Sequence, residues 1–171
     1  MVRHGERVNM SRAGGEKWYK DPAWMFEPVK LQKRTITPEY MTWNVPLSAG
    51  GAADARSAGI RLAERVKRGD GKVDHIVCSP AWRCQQTAHY MAVELGMKFV
   101  SIAGLHECYR KGNGFADAAE KRFGKGAFPP WLTNKELSEL GLAVEADFED
   151  ESTPTRVHET ADAYFKRMKV M

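Results

Sequence analysis

The stretch that most constrains the fold is "VDHIVCSPAWRCQQTAHYMAVELG" at 73–96. Ile76 and Val77 sit at the centre of a short apolar run that stops at Ser79-Pro80, which reads as a buried strand. A helix is expected next, with Ser79 as its N-cap and Pro80 as its first residue. Cys84, Thr87, Ala88, Met91 and Leu95 then fall on one helical face, and Gly96 supplies the stop. A second amphipathic helix precedes the strand within 46–69, where Ala55, Ala58, Leu62 and Val66 recur at helical spacing. Such alternation of helix and strand favours an α/β fold, a mainly parallel sheet flanked by helices.

The rest of the chain fits that frame. "KFVSI" (98–102) reads as another strand. "TNKELSELG" carries a capping box, Thr133 with Glu136, and a glycine stop at Gly141. Val157, Ala161, Tyr164, Phe165 and Met168 mark a last amphipathic helix, with Thr153-Pro154 at its start. The expected organisation is a single domain over 1–171 with an inserted, lid-like tract at 11–44, rich in Trp, Lys and Pro and too long for a plain connection. In open α/β sheets ligands bind outside the carboxyl ends of the strands. "MVRHG" falls there if Met1 and Val2 are the tail of a first strand.

Composition narrows the function classes. No apolar run approaches the roughly 20 residues of a membrane span, and charged residues follow Met1 and Val2 at once, so neither a membrane partner nor a secretory signal is expected. Three cysteines without a C-x-x-C pair point to reduced thiols in a cytoplasmic protein rather than a disulfide framework. The net charge of +4 suits an anionic ligand, but the basic residues are spread and "EADFEDE" (145–151) opposes them, so no nucleic-acid partner is expected. That acidic stretch reads as a solvated loop. Oligomeric state is left open.

The chemistry lies in "RHGER" (3–7). Guanidinium groups grip phosphate in a planar, two-pronged way. Arg3 and Arg7 can hold a phosphoryl group while the neutral imidazole of His4 attacks phosphorus and forms a phosphohistidine. Gly5 allows close backbone approach to the anion. Arg83, in the first turn of the helix after Ser79-Pro80, can add a third guanidinium where the helix N-terminus already favours anions.

Three segments in order, "RHGER", "PLSAGG" (46–51) and "SPAWRCQQTA" (79–88), resemble the histidine phosphatase superfamily, the phosphoglycerate mutase-like fold. The resemblance implies that His4 is the phosphorylated nucleophile and that Arg3, Arg7 and Arg83 form the phosphate pocket. It also implies that Glu107, in "GLHECYR" (104–110), protonates the leaving oxygen. Such proton donation accelerates reactions by roughly 10²–10⁴. No metal or organic cofactor is implied. The arginine at position 7, the valine after it and the long tract that follows are most similar to the T-cell ubiquitin ligand phosphatase domains. The implied partner is a phosphorylated substrate, either a phosphotyrosine protein or a small phosphate ester. Members also carry a second histidine on a loop after the last core strand. His158 sits inside the last helix and is not assigned that role, and His75, His89 and His106 fall elsewhere, although His106 adjoins the acid. The chain is thus expected to be shortened at both ends, and the alternative function is a phosphate-binding module without turnover.

Overall fold

The computed structural model describes residues 5–7, 29–36, 44–106, 121, 131–150 and 160–170. Its framework is the helix–strand–helix–strand unit expected from the sequence. Helix α1 (Ala49–Lys67) leads to strand β3 (Ile76–Cys78), helix α2 (Trp82–Leu95) and strand β4 (Phe99–Ser101). β3 and β4 pair in parallel, with Ile76 opposite Phe99, Val77 opposite Val100 and Cys78 opposite Ser101. A single parallel bridge adds Val144 beside Phe99; the Phe99 N–H donates to Ala143 O at 2.9 Å and the Glu145 N–H to Phe99 O at 2.9 Å. The architecture is α/β with parallel strands and flanking helices.

Local chemistry explains the element ends. The Ser48 hydroxyl caps α1 by accepting the Gly51 N–H at 3.0 Å. Gly96 closes α2 in the left-handed region, φ 64°, which costs glycine nothing. The start of α2 differs from expectation. Its N-cap is Ala81, which has no side-chain oxygen to offer the first turn. The Ser79 hydroxyl instead accepts the Ala81 N–H, at 3.4 Å, and the Trp82 N–H is taken by Asn44 Oδ1 at 2.6 Å. A residue distant in sequence therefore does the work assigned to the local serine.

The core is built from Cys78, Trp82, Ala88, Ala92, Phe99, Leu132, Leu137 and Val144. α1 and α2 cross so closely at Gly59 that an added Cβ would lie 2.9 Å from Met91 Cα. Inside the long tract, Val29–Lys30 (β1) and Thr35–Ile36 (β2) pair antiparallel, and Leu31 and Ile36 are buried in the same core. This hairpin is clamped to helix α3 (Asn134–Glu139). Arg34 donates to Glu136 Oε1 at 2.8 Å, to Glu136 Oε2 at 2.9 Å and to the Trp131 carbonyl at 2.8 Å. The capping box at Thr133 and Glu136 forms as expected. Burial alone would raise the Glu136 carboxyl, but the Thr133 N–H and the Arg34 guanidinium outweigh it and hold the group below its ordinary value. Helix α4 (Ala161–Val170) forms over part of the expected last helix. Thr153, Pro154 and His158 lie outside the described residues. No helix among the described residues is long and apolar enough to cross a membrane.

Candidate active site

The opening segment is anchored by backbone rather than by side-chain packing. The Ser48 N–H donates to Glu6 O at 2.9 Å, and the Ser48 hydroxyl donates to Glu6 Oε2 at 2.7 Å. Arg7 forms an antiparallel bridge with Leu47. A Cβ on Gly5 would sit 2.4 Å from Gly51 O, and one on Gly51 would sit 2.3 Å from Glu6 O. Two main chains thus touch where "RHGER" meets "PLSAGG". Gly5 was expected to admit an anion; the close approach seen among the described residues is to the first turn of α1.

The same segment is tied to α2. The Gly5 N–H donates to Thr87 Oγ1 at 3.3 Å, and the Thr87 hydroxyl donates to Arg83 O at 2.8 Å. The Leu47 N–H, next to the Arg7 bridge, donates to Gln86 Oε1 at 2.8 Å. Two links therefore hold the opening segment against the first two turns of α2. Arg83 sits in the first of those turns and is only 6% exposed, so it is not a solvent-facing arginine. Burying so charged a group is expensive unless its surroundings compensate, and the helix N-terminus alone does not favour a cation. Among the expected site residues, Arg7 and Arg83 are brought to one region by this network. Arg3, His4 and Glu107 lie outside the described residues.

Sequence reasoning missed the polar layer beneath this region. Gln85 Nε2 donates to Ser101 Oγ at 2.9 Å, and the Ser101 N–H donates to Asn134 Oδ1 at 2.9 Å. Asn134 Nδ2 in turn reaches Ser101 O at 3.2 Å and Phe148 O at 3.3 Å. Gln85, Ser101 and Asn134 are all buried. The layer links the first turn of α2, the end of β4 and the start of α3, so it fixes the carboxyl edge of the sheet. No periodicity signals it, because each member is a lone polar residue at an element end. His106, also buried, lies with its ring 6.3 Å from that of Trp131. The acidic stretch is not merely solvated, since the Asp150 carboxylate accepts the Ala103 N–H.

Cys78 at the end of β3 is buried and Cys84 in the first turn of α2 is partly so. Burial pushes the Cys78 thiol well above its ordinary range, and neighbouring Cys84 adds to this, so Cys78 behaves as a core residue. His89 is structural too: its Nδ1 accepts the Ala143 N–H at 3.0 Å, and burial with the nearby Arg56 lowers its pKa. Among the described residues no group of three or more His, Cys, Asp or Glu side chains could hold a metal ion.

Residues 40–136 match the sequence profile of the histidine phosphatase superfamily, branch 1. The chain belongs to that family. It is 28% identical to an ecdysteroid-phosphate phosphatase of Drosophila melanogaster over 98% of this chain and 22% of that protein. Among solved structures it is similar to the ecdysone phosphate phosphatase of the silkworm, crystallised with tungstate. There the TM-score is 0.71 at 24% identity, covering 98% of this chain and 62% of that one. The chain therefore spans about a fifth of the curated relative and under two thirds of the solved one. Both are named as phosphatases of ecdysteroid or ecdysone phosphate, and not as the T-cell ubiquitin ligand phosphatases that the opening motif resembles.

Proposed function

We propose that this chain carries the phosphohistidine half-site of a phosphomonoester hydrolase acting on small phosphate esters. The imidazole of His4 forms the N–P bond as the ester P–O bond breaks. Arg3, Arg7 and Arg83 neutralise the phosphoryl oxygens, and the departing alkoxide takes its proton from Glu107. Water then cleaves the N–P bond, releasing phosphate and restoring His4. The observation that carries this reading is the relay from the Gly5 N–H through Thr87 to the Arg83 carbonyl. It seats the residue that follows His4 one helical turn from the buried guanidinium. The names of the relatives favour a small ester over a phosphotyrosine protein, and three cysteines without a C-x-x-C pair favour a reducing, cytoplasmic setting.

The test is hydrolysis of an aryl phosphate by the chain and by His4→Ala. The expected result is an acid-labile phosphoenzyme that vanishes in His4→Ala together with turnover. Unchanged hydrolysis in His4→Ala contradicts the mechanism. Tungstate or phosphate binding without turnover would instead favour the phosphate-binding module.

A further inference from the structure

The segment 44–47 meets α2 at two points. Asn44 Oδ1 accepts the Trp82 N–H at 2.6 Å, and the Leu47 N–H donates to Gln86 Oε1 at 2.8 Å. Trp82 and Gln86 stand about one helical turn apart, and Arg83 lies between them. On its other edge the same segment holds Arg7: Arg7 and Leu47 form an antiparallel bridge, and the Ser48 N–H donates to Glu6 O at 2.9 Å. We infer that Asn44 and Gln86 are positioning residues, a two-point brace that sets the separation of Arg7 and Arg83. The inference rests on the reading of those two arginines as parts of one anion site.

Geometry is the first argument. A single hydrogen bond leaves two elements free to pivot about it, whereas two bonds a helical turn apart remove that freedom. The two bonds are also reciprocal. The Asn44 side chain serves the backbone of α2, and the Gln86 side chain serves the backbone of the segment. Each satisfies a donor with no acceptor in its own element. Trp82 is the first residue of α2, so its N–H has no intrahelical partner. The Leu47 N–H is turned away from the opening segment, toward the helix.

Stiffness and charge are the second argument. Asn44, Val45, Pro46 and Leu47 are all buried, and the ring of Pro46 fixes its own φ. The segment therefore transmits a displacement at either anchor rather than absorbing it. Both anchors are neutral amides, so the brace brings no charge of its own to the arginines it holds. Two guanidinium groups gripping one tetrahedral anion need a fixed spacing, and a misplacement of about 1 Å is enough to be costly. Nothing else in the role of Asn44 or Gln86 calls for contact with the anion itself.

The test is calorimetry with inorganic phosphate on the full chain in two backgrounds, the parent and Arg7→Ala, each with and without Gln86→Leu. Leucine keeps the bulk of the glutamine and removes the acceptor. Gln86→Leu is expected to weaken phosphate about tenfold in the parent. In Arg7→Ala it should weaken phosphate less than about twofold, because no separation remains to be kept. A merely structural role would lower affinity by the same factor in both. Faster hydrogen exchange at the Leu47 amide, with a cooperative melt, verifies that the bond is lost and the fold kept. Asn44→Ala cuts the other anchor and carries the same prediction, so the test stands even if Gln86→Leu does not fold. Equal losses in the two backgrounds, no loss in the parent, or a parent chain that binds no phosphate overturns the inference. Unchanged hydrolysis of an aryl phosphate in His4→Ala would sink the phosphohistidine mechanism alone and leave the brace standing.

Discussion

Helices α2 and α4 carry the same kind of sequence pattern and have different fates. Each shows apolar residues at helical spacing. α2 buries Trp82, Ala88, Met91 and Ala92 against α1 and the strands, and its first two turns hold the opening segment. α4 forms, yet Phe165 on its surface is 60% exposed, and the helix touches the framework chiefly at Ala103–Leu105. Periodicity reports that a helix has an apolar face; it does not report what covers that face. The difference lies in the crossing. α2 meets α1 where Gly59 brings two backbones together, and small residues there convert a stripe into a tight interface.

That contrast can be broken most severely at the glycines. Gly51→Ala places a Cβ against the Glu6 carbonyl, a backbone atom that cannot swing aside. The expected loss is about 1–3 kcal/mol of stability in urea unfolding, with phosphate affinity falling as the opening segment is displaced. Next comes the clamp on the hairpin. Glu136→Gln removes the charge that Arg34 pairs with and is expected to cost about 1–3 kcal/mol, read as a lower melting temperature. Because the folded pKa of Glu136 is depressed, its contribution is complete above the ordinary carboxylate pKa and fades as pH falls through the folded value. Glu136→Gln should therefore flatten the acid limb of the stability curve.

A smaller effect is expected at His89. Its folded pKa is lowered, so the unfolded chain binds the extra proton first. Stability should be complete above the ordinary histidine pKa and decline as pH falls below it, because a protonated Nδ1 cannot accept the Ala143 N–H. His89→Gln should remove that slope in a melting series from pH 7.5 to about 5. The smallest effect is at α4: Phe165→Ser should shift stability by no more than about 0.5 kcal/mol, whereas Ala92→Ser, inside α2, should shift it more.

Much of the framework was legible in the sequence because it is written locally. The strand stopping at Ser-Pro, the glycine ending α2 and the Thr133–Glu136 capping box each depend on neighbours a few residues apart. The unread parts depend on distant partners. Asn44 caps α2 in place of Ser79, two-residue strands escape any alternation pattern, and Val144 joins the sheet by a single bridge. At the candidate site the residue types were legible: Arg83 lies at a helix start, as its motif implied. Its burial was not, and neither was the interlock of Gly5 with Gly51, since a glycine in a motif does not say which backbone will approach it.

In the proposed site one oxyanion is shared by the opening segment and the first turn of α2. Calorimetry with inorganic phosphate on the wild-type chain, Arg7→Ala, Arg83→Ala and the double variant decides whether it is. Each single variant should lose at least about tenfold in affinity, and the double should lose less than the product of the two, as coupled contacts do. Phosphate binding that survives Arg83→Ala undiminished would contradict it.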